Sequence, residues 1–459
     1  MKKVLGVDSS TQSVKVVVRD SETGALINSA SRPHPDGTEV DPKHWYAAMA
    51  EAIAEVGGLD SVDAISIAGQ QHGMIVLDEK GEVIRPALLW NDTRSSSQAE
   101  ALNLEFPDIH ERVGSKLVAS FTASKLRWLR ENEPENAKKV RAVALPHDWL
   151  SWKISGSNNL EDIFTDRSDA SGTGYFNPLN DAYEPDIVKS ALGHTDVHLP
   201  KLISPNAFGF NDGTLKIAAG AGDNAGAALG LGAKIGDLVI SLGTSGTAFL
   251  ISSTGSSDES GEVAGFADAT GNFLPLACTL NAAKVFATTC SMLGVSFEEF
   301  SRLALSANFG ADGIMFLPHL DGERTPNRPD AKGQLHNITH SNFTAANICR
   351  ASIEGVMGSM AYATQALLDL GHTFERIILI GGAARNPAVQ QIAADLFAHE
   401  LVVPAESEYV ANGAAKQAAW ALSGDLLPPH WESGKDLVIQ PSSRNSEVLE
   451  SYLSAIARI

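Results

Sequence analysis

The segment Val4-Leu-Gly-Val-Asp-Ser-Ser-Thr-Gln-Ser-Val-Lys-Val-Val-Val18 places a polar turn between two apolar runs. Apolar runs of this length on either side of turn-forming residues predict a β-hairpin with the loop Asp8-Ser-Ser-Thr-Gln-Ser13. The segment Leu238 to Ser252 repeats the plan, with the loop Leu242-Gly-Thr-Ser-Gly246. Tight turns of this kind expose amides and hydroxyls in concavities that suit phosphate oxygens. The chain is therefore predicted to contain two similar halves, the alternative being two unrelated surface hairpins.

Strands and helices are predicted to alternate along the rest of the chain. Strand-like runs occur at Ala64 to Ala68 and at Met74 to Leu77. Asp41-Pro42 is typical of a helix start, because a capping acid precedes a proline at the first helical position. A periodic segment from Asn342 to Leu370 predicts a long helix that ends at Gly371. Alternation of this kind indicates an α/β fold with two lobes and a cleft.

The length of the chain predicts more than one domain. Its 459 residues exceed what a single hydrophobic core normally serves, so two domains are expected. The run of small residues from Gly230 to Gly236 ends where the second hairpin begins. We therefore place the boundary there, with an N-terminal domain of residues 1–232 and a C-terminal domain of residues 233–459.

The composition restricts the partners of the protein. With 44% hydrophobic residues, 20% charged residues and a net charge of −20, the chain has the composition of an acidic, soluble globular protein. Nucleic acid and anionic membranes are poor partners, since both bind basic surfaces. The apolar run Val4 to Val7 is too short for a secretory leader, and three cysteines without paired spacing suit a reducing compartment. We expect a cytoplasmic protein whose partners are small molecules.

The segment Ala218-Ala-Gly-Ala-Gly-Asp-Asn-Ala-Gly226 sets an acid, Asp223, inside a turn of small residues. A carboxylate there would repel a phosphate, but it could accept the proton of a neutral hydroxyl that attacks one. The segment also fits a dinucleotide fingerprint of an oxidoreductase, although that fingerprint needs its acid about 20 residues further on. A helix start capped by Asp223 or Asn224 is another alternative. We interpret Asp223 as a general base.

A second glycine-rich loop indicates a nucleotide site. The strand-like run Arg376 to Ile380 leads into Gly381-Gly-Ala-Ala-Arg-Asn386, and a helix is predicted to open at Pro387. Strand, glycine loop and helix start together are typical of nucleotide binding. The sequence has no Walker A motif and no protein-kinase catalytic loop, so turns such as Asp8 to Ser13 and Gly243 to Gly246 are expected to hold the phosphates.

Asp8 ends an apolar strand directly before the first phosphate-type turn. An aspartate that merely forms a turn is common at such a position. Beside a phosphate loop, however, a Mg²⁺ ligand is the better interpretation, because hard cations prefer carboxylate oxygens. Phosphoryl transfer needs positioning, charge neutralisation and a proton acceptor, and the chain offers candidates for each.

Polar residues in two loops are candidate sugar contacts. Gln70, Gln71 and His72 follow a short strand in a loop flanked by glycines, which is the usual place for ligand contacts in α/β folds. Neutral polar groups suit a sugar or polyol, and the alternative is a loop without a ligand. Asp92 could equally cap the helix that follows it. The further predicted sugar contacts are Trp90, Asn91, Asp92, Arg94 and Asn224.

Three segments resemble the nucleotide motifs of the actin-like and sugar-kinase superfamily. Asp8-Ser-Ser-Thr-Gln-Ser-Val-Lys15 resembles the first phosphate motif, with Ser10 where glycine is usual. A serine fits there if the position keeps a negative φ. Leu242-Gly-Thr-Ser-Gly246 resembles the second phosphate motif, and Ile380-Gly-Gly-Ala-Ala-Arg-Asn386 resembles the adenosine motif.

Two longer segments identify the chain with the FGGY carbohydrate kinases. Ser120-Phe-Thr-Ala-Ser-Lys-Leu-Arg-Trp-Leu-Arg-Glu-Asn132 resembles the N-terminal signature of that family. Gly333 to Glu354 resembles the C-terminal signature, except at Asn337, where glycine is expected. The resemblance runs from Asp8 to Trp420 and so covers nearly the whole chain.

Four shorter segments resemble the xylulokinase branch of the family. They are Ala68-Gly-Gln-Gln-His-Gly73, Trp90-Asn-Asp-Thr-Arg94, Ser168-Asp-Ala-Ser-Gly-Thr173 and Gly322-Glu-Arg-Thr-Pro326. Gln71 is a departure, since many members of that branch have methionine beside the histidine. Glu323 and Arg324 could instead form a structural ion pair.

The resemblance implies an α/β fold of two ribonuclease-H-like, actin-like ATPase domains that flank a catalytic cleft. ATP with Mg²⁺ is expected between the lobes and the sugar deeper in the first lobe. Asp223 corresponds to the catalytic base and Asp8 to the acid near the magnesium ion. The predicted ATP contacts are Ser10, Thr11, Gln12, Ser13, Gly243, Thr244, Ser245, Gly381, Gly382, Ala383 and Asn386.

The expected reaction is transfer of the γ-phosphoryl group of ATP to the C5 hydroxyl of D-xylulose, giving D-xylulose 5-phosphate. Another sugar or polyol, such as ribulose, a different ketose or glycerol, is the near alternative. Glycerol is disfavoured because the loop Gly69 to Gly73 lacks the arginine and glutamate that glycerol kinases use. A nucleotide-binding protein without transferase activity is the remote alternative. The sequence does not fix the oligomeric state, and a homodimer is left open.

Overall fold

The computed structural model of the protein describes residues 2–432, 434–442 and 446–458. Two large mixed sheets form the centres of its two lobes. The strands of the first sheet are β1 Lys3–Ser9, β2 Ser13–Asp20, β3 Leu26–Pro33, β4 Ala64–Gly69, β5 Phe208–Asn211, β6 Lys216–Ala218 and β7 Ala221–Gly222. The strands of the second sheet are β8 Asp237–Leu242, β9 Gly246–Leu250, β10 Val263–Ala267, β11 Phe273–Thr279, β12 Arg376–Ile380, β13 Leu401–Val403 and β14 Leu437–Ile439.

The two sheets repeat one strand plan. The first has the order β5-β6-β4-β1-β2-β3, with β7 paired to β4, and the second has the order β10-β11-β9-β8-β12-β13-β14. In both, the opening strand is antiparallel to the next strand of its hairpin and parallel to a strand from later in the chain. The predicted hairpins, the duplication and the two-lobed ribonuclease-H-like α/β fold are confirmed.

Helices cover both sheets. They are α1 Pro42–Glu55, α2 Ser96–Glu105, α3 Ile109–Val113, α4 Thr122–Asn132, α5 Pro134–Ala137, α6 Pro146–Ser155, α7 Arg167–Ala170, α8 Pro185–Leu192, α9 Asp223–Leu231, α10 Ala283–Leu293, α11 Phe297–Ser306, α12 Ala345–Asp369, α13 Pro387–Phe397, α14 Tyr409–Ser423 and α15 Ser446–Arg458. Single 3₁₀ turns lie at Leu59–Ser61, Leu160–Asp162, Ala311–Gly313 and Gly382–Arg385. Short ribbons pair Glu39–Val40 with Ala87–Leu88, Ile75–Leu77 with Ala142–Ala144, Phe164–Thr165 with Lys201–Leu202, Phe176–Asn177 with Ala182–Tyr183, and Met315–Leu317 with Gln334–His336.

Local capping chemistry sets several helix ends. The Asp41 carboxylate accepts a hydrogen bond from the Lys43 amide at 3.0 Å, so α1 begins as the sequence predicts. Helix α12 begins three residues later than predicted, because Thr344 caps it by accepting a hydrogen bond from the Asn347 amide. Asn337, at the position where the family motif has glycine, has a φ of +59°. Asparagine tolerates this left-handed conformation better than most residues, which explains how it replaces glycine.

Helix α14 joins the two halves of the chain. It lies in the second half of the sequence, yet it packs on β1 of the first sheet through a cluster that includes Val4, Ala411 and Ala415. It also packs on α9, where small residues allow the backbones to touch. A Cβ atom added to Gly413 would lie 1.9 Å from the carbonyl oxygen of Gly226. Any larger side chain at this crossing would push the two helices apart.

The described parts of the chain contain no helix with the length and apolar character needed to span a membrane.

Candidate active site

A cavity of about 390 Å³ lies between the two sheets, at the ends of the opening strands. The first half of the chain contributes Asp8, Ser10, Lys15, Asp223 and Asn224 to its wall. The second half contributes Ser241, Gly381, Gly382 and the segment 406–410 at the start of α14. The first phosphate-type loop, the strand end before the second one, the loop at Gly381 and the predicted general base therefore face one cleft.

Asp223 is the first residue of α9, directly after the strand β7. Its Oδ1 atom accepts hydrogen bonds from the backbone amide of Asn224 at 2.8 Å and from the Asn224 side chain at 3.0 Å. The N-cap of the helix is Gly222, and no side chain caps it, so the capping alternative for Asp223 and Asn224 is wrong. Burial raises the pKa of Asp223 to about 6. The carboxylate is thus ionised at neutral pH and still basic enough to accept a proton.

Asp8 is the second carboxylate of the cleft and is buried, with 5% of the residue exposed. Its Oδ1 atom accepts a hydrogen bond from the Ser10 hydroxyl. Burial, and after it the negative charge of Asp223, raise the pKa of Asp8 to about 7, although the Ser10 hydrogen bond opposes them. Ser10 does not adopt a positive φ, which meets the condition for a serine at the family's glycine position. Two mutually repelling carboxylates are typical of a site that takes up a cation.

His72 lies at the end of the loop that follows β4 and has a φ of +67°. Its ring packs against both Phe121 and Phe266, with ring-centre distances of 5.0 and 5.6 Å. Its Nδ1 atom lies 2.5 Å from the carbonyl oxygen of Gly172, which can only accept, so Nδ1 carries the proton. Burial lowers the pKa of His72 to about 3. The neutral ring is left with Nε2 as an acceptor for a hydroxyl.

Gln70 and Gln71 differ in whether the side-chain NH₂ group donates to the protein. The Gln71 amide donates to the carbonyl of Ser168 at 2.8 Å and is therefore part of the scaffold. Gln70 is 1% exposed, its Oε1 accepts from the Thr11 hydroxyl at 3.3 Å, and its Nε2 has no hydrogen-bond partner among the residues that the structure describes. Buried donors are rarely left unpaired, so the Gln70 amide is suited to a ligand oxygen.

Trp90 connects the second predicted sugar loop to the first phosphate turn. Its indole Nε1 donates to the Thr11 hydroxyl at 2.9 Å, and 39% of the residue is exposed. Thr11 thus contacts both Trp90 and Gln70, which brings predicted sugar contacts next to a predicted ATP contact. The neighbouring Asn91 is exposed.

Asp92 and Arg94 are bound to each other. The buried Asp92 accepts from Arg94 Nε at 2.8 Å and from the Thr38 hydroxyl at 2.8 Å, and Arg94 also pairs with Glu39 at 2.8 Å. Helix α2 begins with Ser95 as its N-cap, so the alternative that Asp92 caps this helix is wrong. A sugar contact from either residue stays a prediction.

The predicted nucleotide loops adjoin each other. A Cβ atom at Gly381, whose φ is +95°, would lie 2.5 Å from the carbonyl oxygen of Leu242, so only glycine allows this approach. A second cavity of about 480 Å³ lies beside the loops and is partly lined by Phe286 and Phe297. The predicted ATP contacts in its wall are Gly243, Thr244, Gly382, Ala383 and Asn386. Its apolar side suits a flat heterocyclic ring.

Other predicted ATP contacts have structural roles. The carbonyl oxygens of Gln12 and Ser13 accept from the amides of His34 and Ser10. The Asn386 side-chain oxygen caps α13 by accepting from Ala388 at 2.9 Å. Ser245 is exposed. Among the described residues, Thr11, Gln12, Ser13 and Ser245 line neither cavity.

Glu323 and Arg324 do not form the ion pair that we considered from the sequence. Glu323 accepts from the amide of Leu280 at 2.5 Å and from the Asn281 side chain at 2.9 Å. The Arg324 guanidinium donates to the carbonyl of Gly261 at 3.0 Å. Glu323 therefore stabilises the loop beside the second phosphate turn, where the Ala282 amide donates to Thr244.

A buried charged cluster behind Asp223 was missed by the sequence analysis. It consists of His147, Asp148, Asp166 and Asp169, all fully or nearly fully buried. Asp166 caps α7, and His147 contacts both other acids. The sequence shows several acids in and just before Ser168 to Thr173, one of the segments that resemble the xylulokinase branch. This concentration of acids does not reveal that α6 and α7 pack against each other.

Comparison with known proteins agrees with this architecture. Residues 3–230 match the FGGY family of carbohydrate kinases, N-terminal domain, and residues 238–422 match the C-terminal domain of the same family. A xylulose kinase from Streptomyces coelicolor is 41% identical, with 99% of this chain and 96% of the relative covered. A xylulose kinase from Streptomyces rubiginosus is 40% identical with the same coverage.

A solved structure is similar over the whole molecule. The crystal structure of xylulose kinase from Bifidobacterium adolescentis has 42% sequence identity and a TM-score of 0.92, covering 100% of this chain and 99% of that one. With its two repeated lobes and glycine turns around a cleft, the molecule has the architecture of an actin-like phosphotransferase. The chain belongs to the FGGY family of carbohydrate kinases.

Proposed function

We propose that the protein transfers the γ-phosphoryl group of ATP to the C5 hydroxyl of D-xylulose and that Asp223 accepts the proton of that hydroxyl. The observation that carries the proposal is the position of Asp223, a half-buried carboxylate in the same cleft as the first phosphate-type turn and the strand end before the second one. The similarity over the full chain to xylulose kinases supports the choice of sugar.

Asp223 has the geometry of a general base. Both hydrogen bonds from Asn224 reach Oδ1, so Oδ2 is the oxygen that would receive the proton. Its pKa of about 6 keeps it ionised at neutral pH. General bases contribute typically about 10²- to 10⁴-fold to rate. In a loose phosphoryl-transfer transition state the proton leaves late, so Asp223 would also orient the hydroxyl.

Asp8 fits a Mg²⁺ ion. It offers a buried carboxylate whose negative charge repels that of Asp223, and a cation between carboxylate and phosphates would relieve this repulsion. When bound, the ion would neutralise charge on the phosphate oxygens. Asp8 would hold it directly or through water, and the Ser10 hydroxyl would keep the carboxylate oriented.

The sugar and the nucleotide would occupy opposite ends of the cleft. The unpaired amide of Gln70, Nε2 of His72 and the side chain of Asn224 are proposed as sugar contacts, with Trp90 at the edge. The loops 243–245 and 381–386 are proposed to hold ATP. These assignments give the first domain, residues 1–232, the sugar and the base, and the second domain, residues 233–459, the nucleotide.

We propose a cytoplasmic location, which the three free cysteines support. Light scattering of the purified protein distinguishes a monomer from the homodimer that the sequence leaves open.

A sugar panel tests the proposed substrate. ADP release is followed with ATP and D-xylulose, L-ribulose, glycerol or no acceptor. D-Xylulose should exceed the other two by more than about tenfold in kcat/KM, because a pocket that pairs several hydroxyls leaves a buried group unpaired when one is missing. If L-ribulose or glycerol is preferred, the substrate is wrong while the family stands. ADP release that no sugar stimulates would favour a protein without transferase activity.

A further inference from the structure

The residues just before Asp223 are held by a buried charged cluster. The cluster is His147 on α6 with Asp148, Asp166 and Asp169, each at most 2% exposed. His147 lies directly behind the turn between β6 and β7: a Cβ atom added to Gly220 would lie 2.2 Å from its Cδ2 atom. Gly220 has a φ of +88°, so the turn needs glycine both for its conformation and for the approach of the imidazole.

The contacts of His147 determine its protonation. Its Nδ1 atom lies 2.5 Å from an Asp169 oxygen and 3.2 Å from an Asp148 oxygen, and its Nε2 atom lies 3.3 Å from the carbonyl oxygen of Ala219. The Ala219 carbonyl can only accept, so Nε2 carries a hydrogen, and a second proton is shared between Nδ1 and the Asp169 carboxyl, whose pKa burial raises to about 8. Burial alone would lower the pKa of His147, but the carboxylates of Asp148 and Asp169 raise it to about 10. The imidazolium thus joins the acids of α6 and α7 to the turn.

A second hydrogen bond fixes the other end of the turn. The Gly222 amide donates to the Ser168 hydroxyl at 3.1 Å, and Asp166 orients this segment by accepting from the Ser168 amide at 2.8 Å. The turn 219–222 is therefore held at Ala219 by His147 and at Gly222 by Ser168. Asp223 follows immediately, so the direction of its carboxylate depends on both contacts.

We propose that His147 is a positioning residue for phosphoryl transfer: it donates to Asp169 on one side and to Ala219 on the other and so fixes the turn that presents Asp223 to the acceptor hydroxyl. This inference rests on the role of Asp223 given under the proposed function. His147 has no direct contact with the cleft and would act through Asp223 alone. Small displacements of a reacting group can cost up to about 10²-fold in rate, so the contribution of His147 should be large.

A double-mutant cycle tests the proposal. His147→Gln keeps a donor but cannot contact both sides, and it should lower kcat with D-xylulose and ATP by roughly 10- to 100-fold. KM for ATP should change by less than about threefold, because the nucleotide loops lie elsewhere. In an Asp223→Asn background, the same His147→Gln substitution should lower the remaining kcat by less than about twofold.

The matched control is His372→Gln. His372 is also buried, and both of its ring nitrogens are hydrogen-bonded, to the hydroxyls of Ser252 and Ser256, at 3.1 and 2.7 Å. It lies in the second half of the chain, and its loss should leave kcat within about twofold of the parent. If His147→Gln does not fold, Asp169→Asn takes its place, because asparagine still accepts from Nδ1 but lacks the charge that holds the imidazolium.

The outcomes separate this inference from the proposed function. An equal loss of kcat in both backgrounds, or an unchanged kcat in folded His147→Gln, would overturn the positioning role. The same criteria apply to Asp169→Asn. If Asp223→Asn alone keeps near-parental kcat, the base itself is wrong and the inference fails with it. If Asp223→Asn is inactive while His147→Gln is not impaired, only the inference fails.

Discussion

The two opening hairpins have the same strand pairing, but the first has charged side chains beside its turn and the second has neutral ones. In the first, Asp8 pairs with Lys15 one step before the turn, and in the second, Ser241 occupies the corresponding step and pairs with Thr247. Both Asp8 and Ser241 line the same cavity. The duplicated scaffold thus offers a charged turn on one side of the cleft and a neutral turn on the other.

The difference shows how two copies of one hairpin can have different roles, one beside the proposed cation and one beside the phosphates. A carboxylate at both turns would place two negative charges against the phosphates, with repulsion on each side. Under the proposed function, one charged turn would hold a cation on the side where Asp223 also lies, and amides and hydroxyls would contact the nucleotide from the other side. We therefore expect substitutions in the first half to affect the chemical step and substitutions at the neutral turn to have milder effects.

The largest expected effect is that of Asp223→Asn. It keeps the size of the side chain but removes the base, so kcat should fall by about 10²- to 10⁴-fold, with much smaller changes in KM for both substrates. Asp41→Asn is the control, since asparagine caps α1 as well as aspartate does and should leave kcat within about twofold. Steady-state ADP release of the folded variants measures both, and near-parental turnover of Asp223→Asn would remove this residue from the mechanism.

The comparison of the turns is tested directly by Asp8→Ala beside Ser241→Ala. Loss of the proposed magnesium ligand should lower kcat by at least about 100-fold, while calorimetric sugar affinity in the absence of nucleotide stays within about threefold. Ser241→Ala should cost less than about tenfold in kcat. Equal losses at the two positions would contradict the asymmetry.

Metal removal offers an independent check on Asp8. Activity should be lost in EDTA and return with Mg²⁺ or Mn²⁺. Full turnover in EDTA would end the magnesium assignment.

The acidity of Asp223 predicts the pH dependence of the reaction. Because burial raises its pKa to about 6, the base becomes protonated as the pH falls below that value. We expect kcat/KM for the sugar to decrease by about tenfold per pH unit there. The stability of the fold changes in the opposite direction to the activity. Because the folded state binds the Asp223 proton more tightly than the unfolded chain, the free energy of unfolding increases as the pH falls from about 6 to about 4.

Stopped assays between pH 5 and 8, with tryptophan fluorescence to monitor folding, test this dependence. Constant kcat/KM down to pH 5 in folded protein would argue against a base with this pKa.

The smallest expected effect concerns the charge that borders the first turn. Lys15 pairs with Glu408 at 2.5 Å, and their side chains are 38% and 49% exposed. Glu408→Gln should therefore change the free energy of unfolding by less than about 1 kcal/mol and kcat by less than about threefold. Urea unfolding and ADP release measure the two quantities, with Glu406→Gln as the control. A loss of kcat above tenfold would show that the ion pair is part of the catalytic machinery.

Features with a local cause could be predicted from the sequence. The turn Asp8 to Ser13, the start of α1 at Pro42 and the glycine after α12 follow from residue preferences over a few positions. Asp223 was recognised because its small neighbours and its motif are contiguous. The start of α12 was predicted three residues too early, because the periodicity of the segment does not reveal that Thr344 caps the helix.

Contacts between distant segments could not be predicted. The position of α14 beside the first sheet depends on its close crossing with α9, where Gly413 meets Gly226. These two glycines lie far apart in the sequence. Glu323 and Arg324 are adjacent in sequence, which favoured an ion pair, yet the tertiary structure turns each toward backbone groups of different segments.

By itself, the sequence determined the two hairpins, the alternating α/β elements and the positions of Asp8 and Asp223 at the ends of strands, because strand and turn preferences act between neighbours. The tertiary structure alone decided that Asp8 and Asp223 share a cleft and that His147, Asp148 and Asp169 meet behind it. The physical reason is that burial and charge depend on every segment that surrounds a group. An imidazolium held by acids from two helices exists only once those helices have packed.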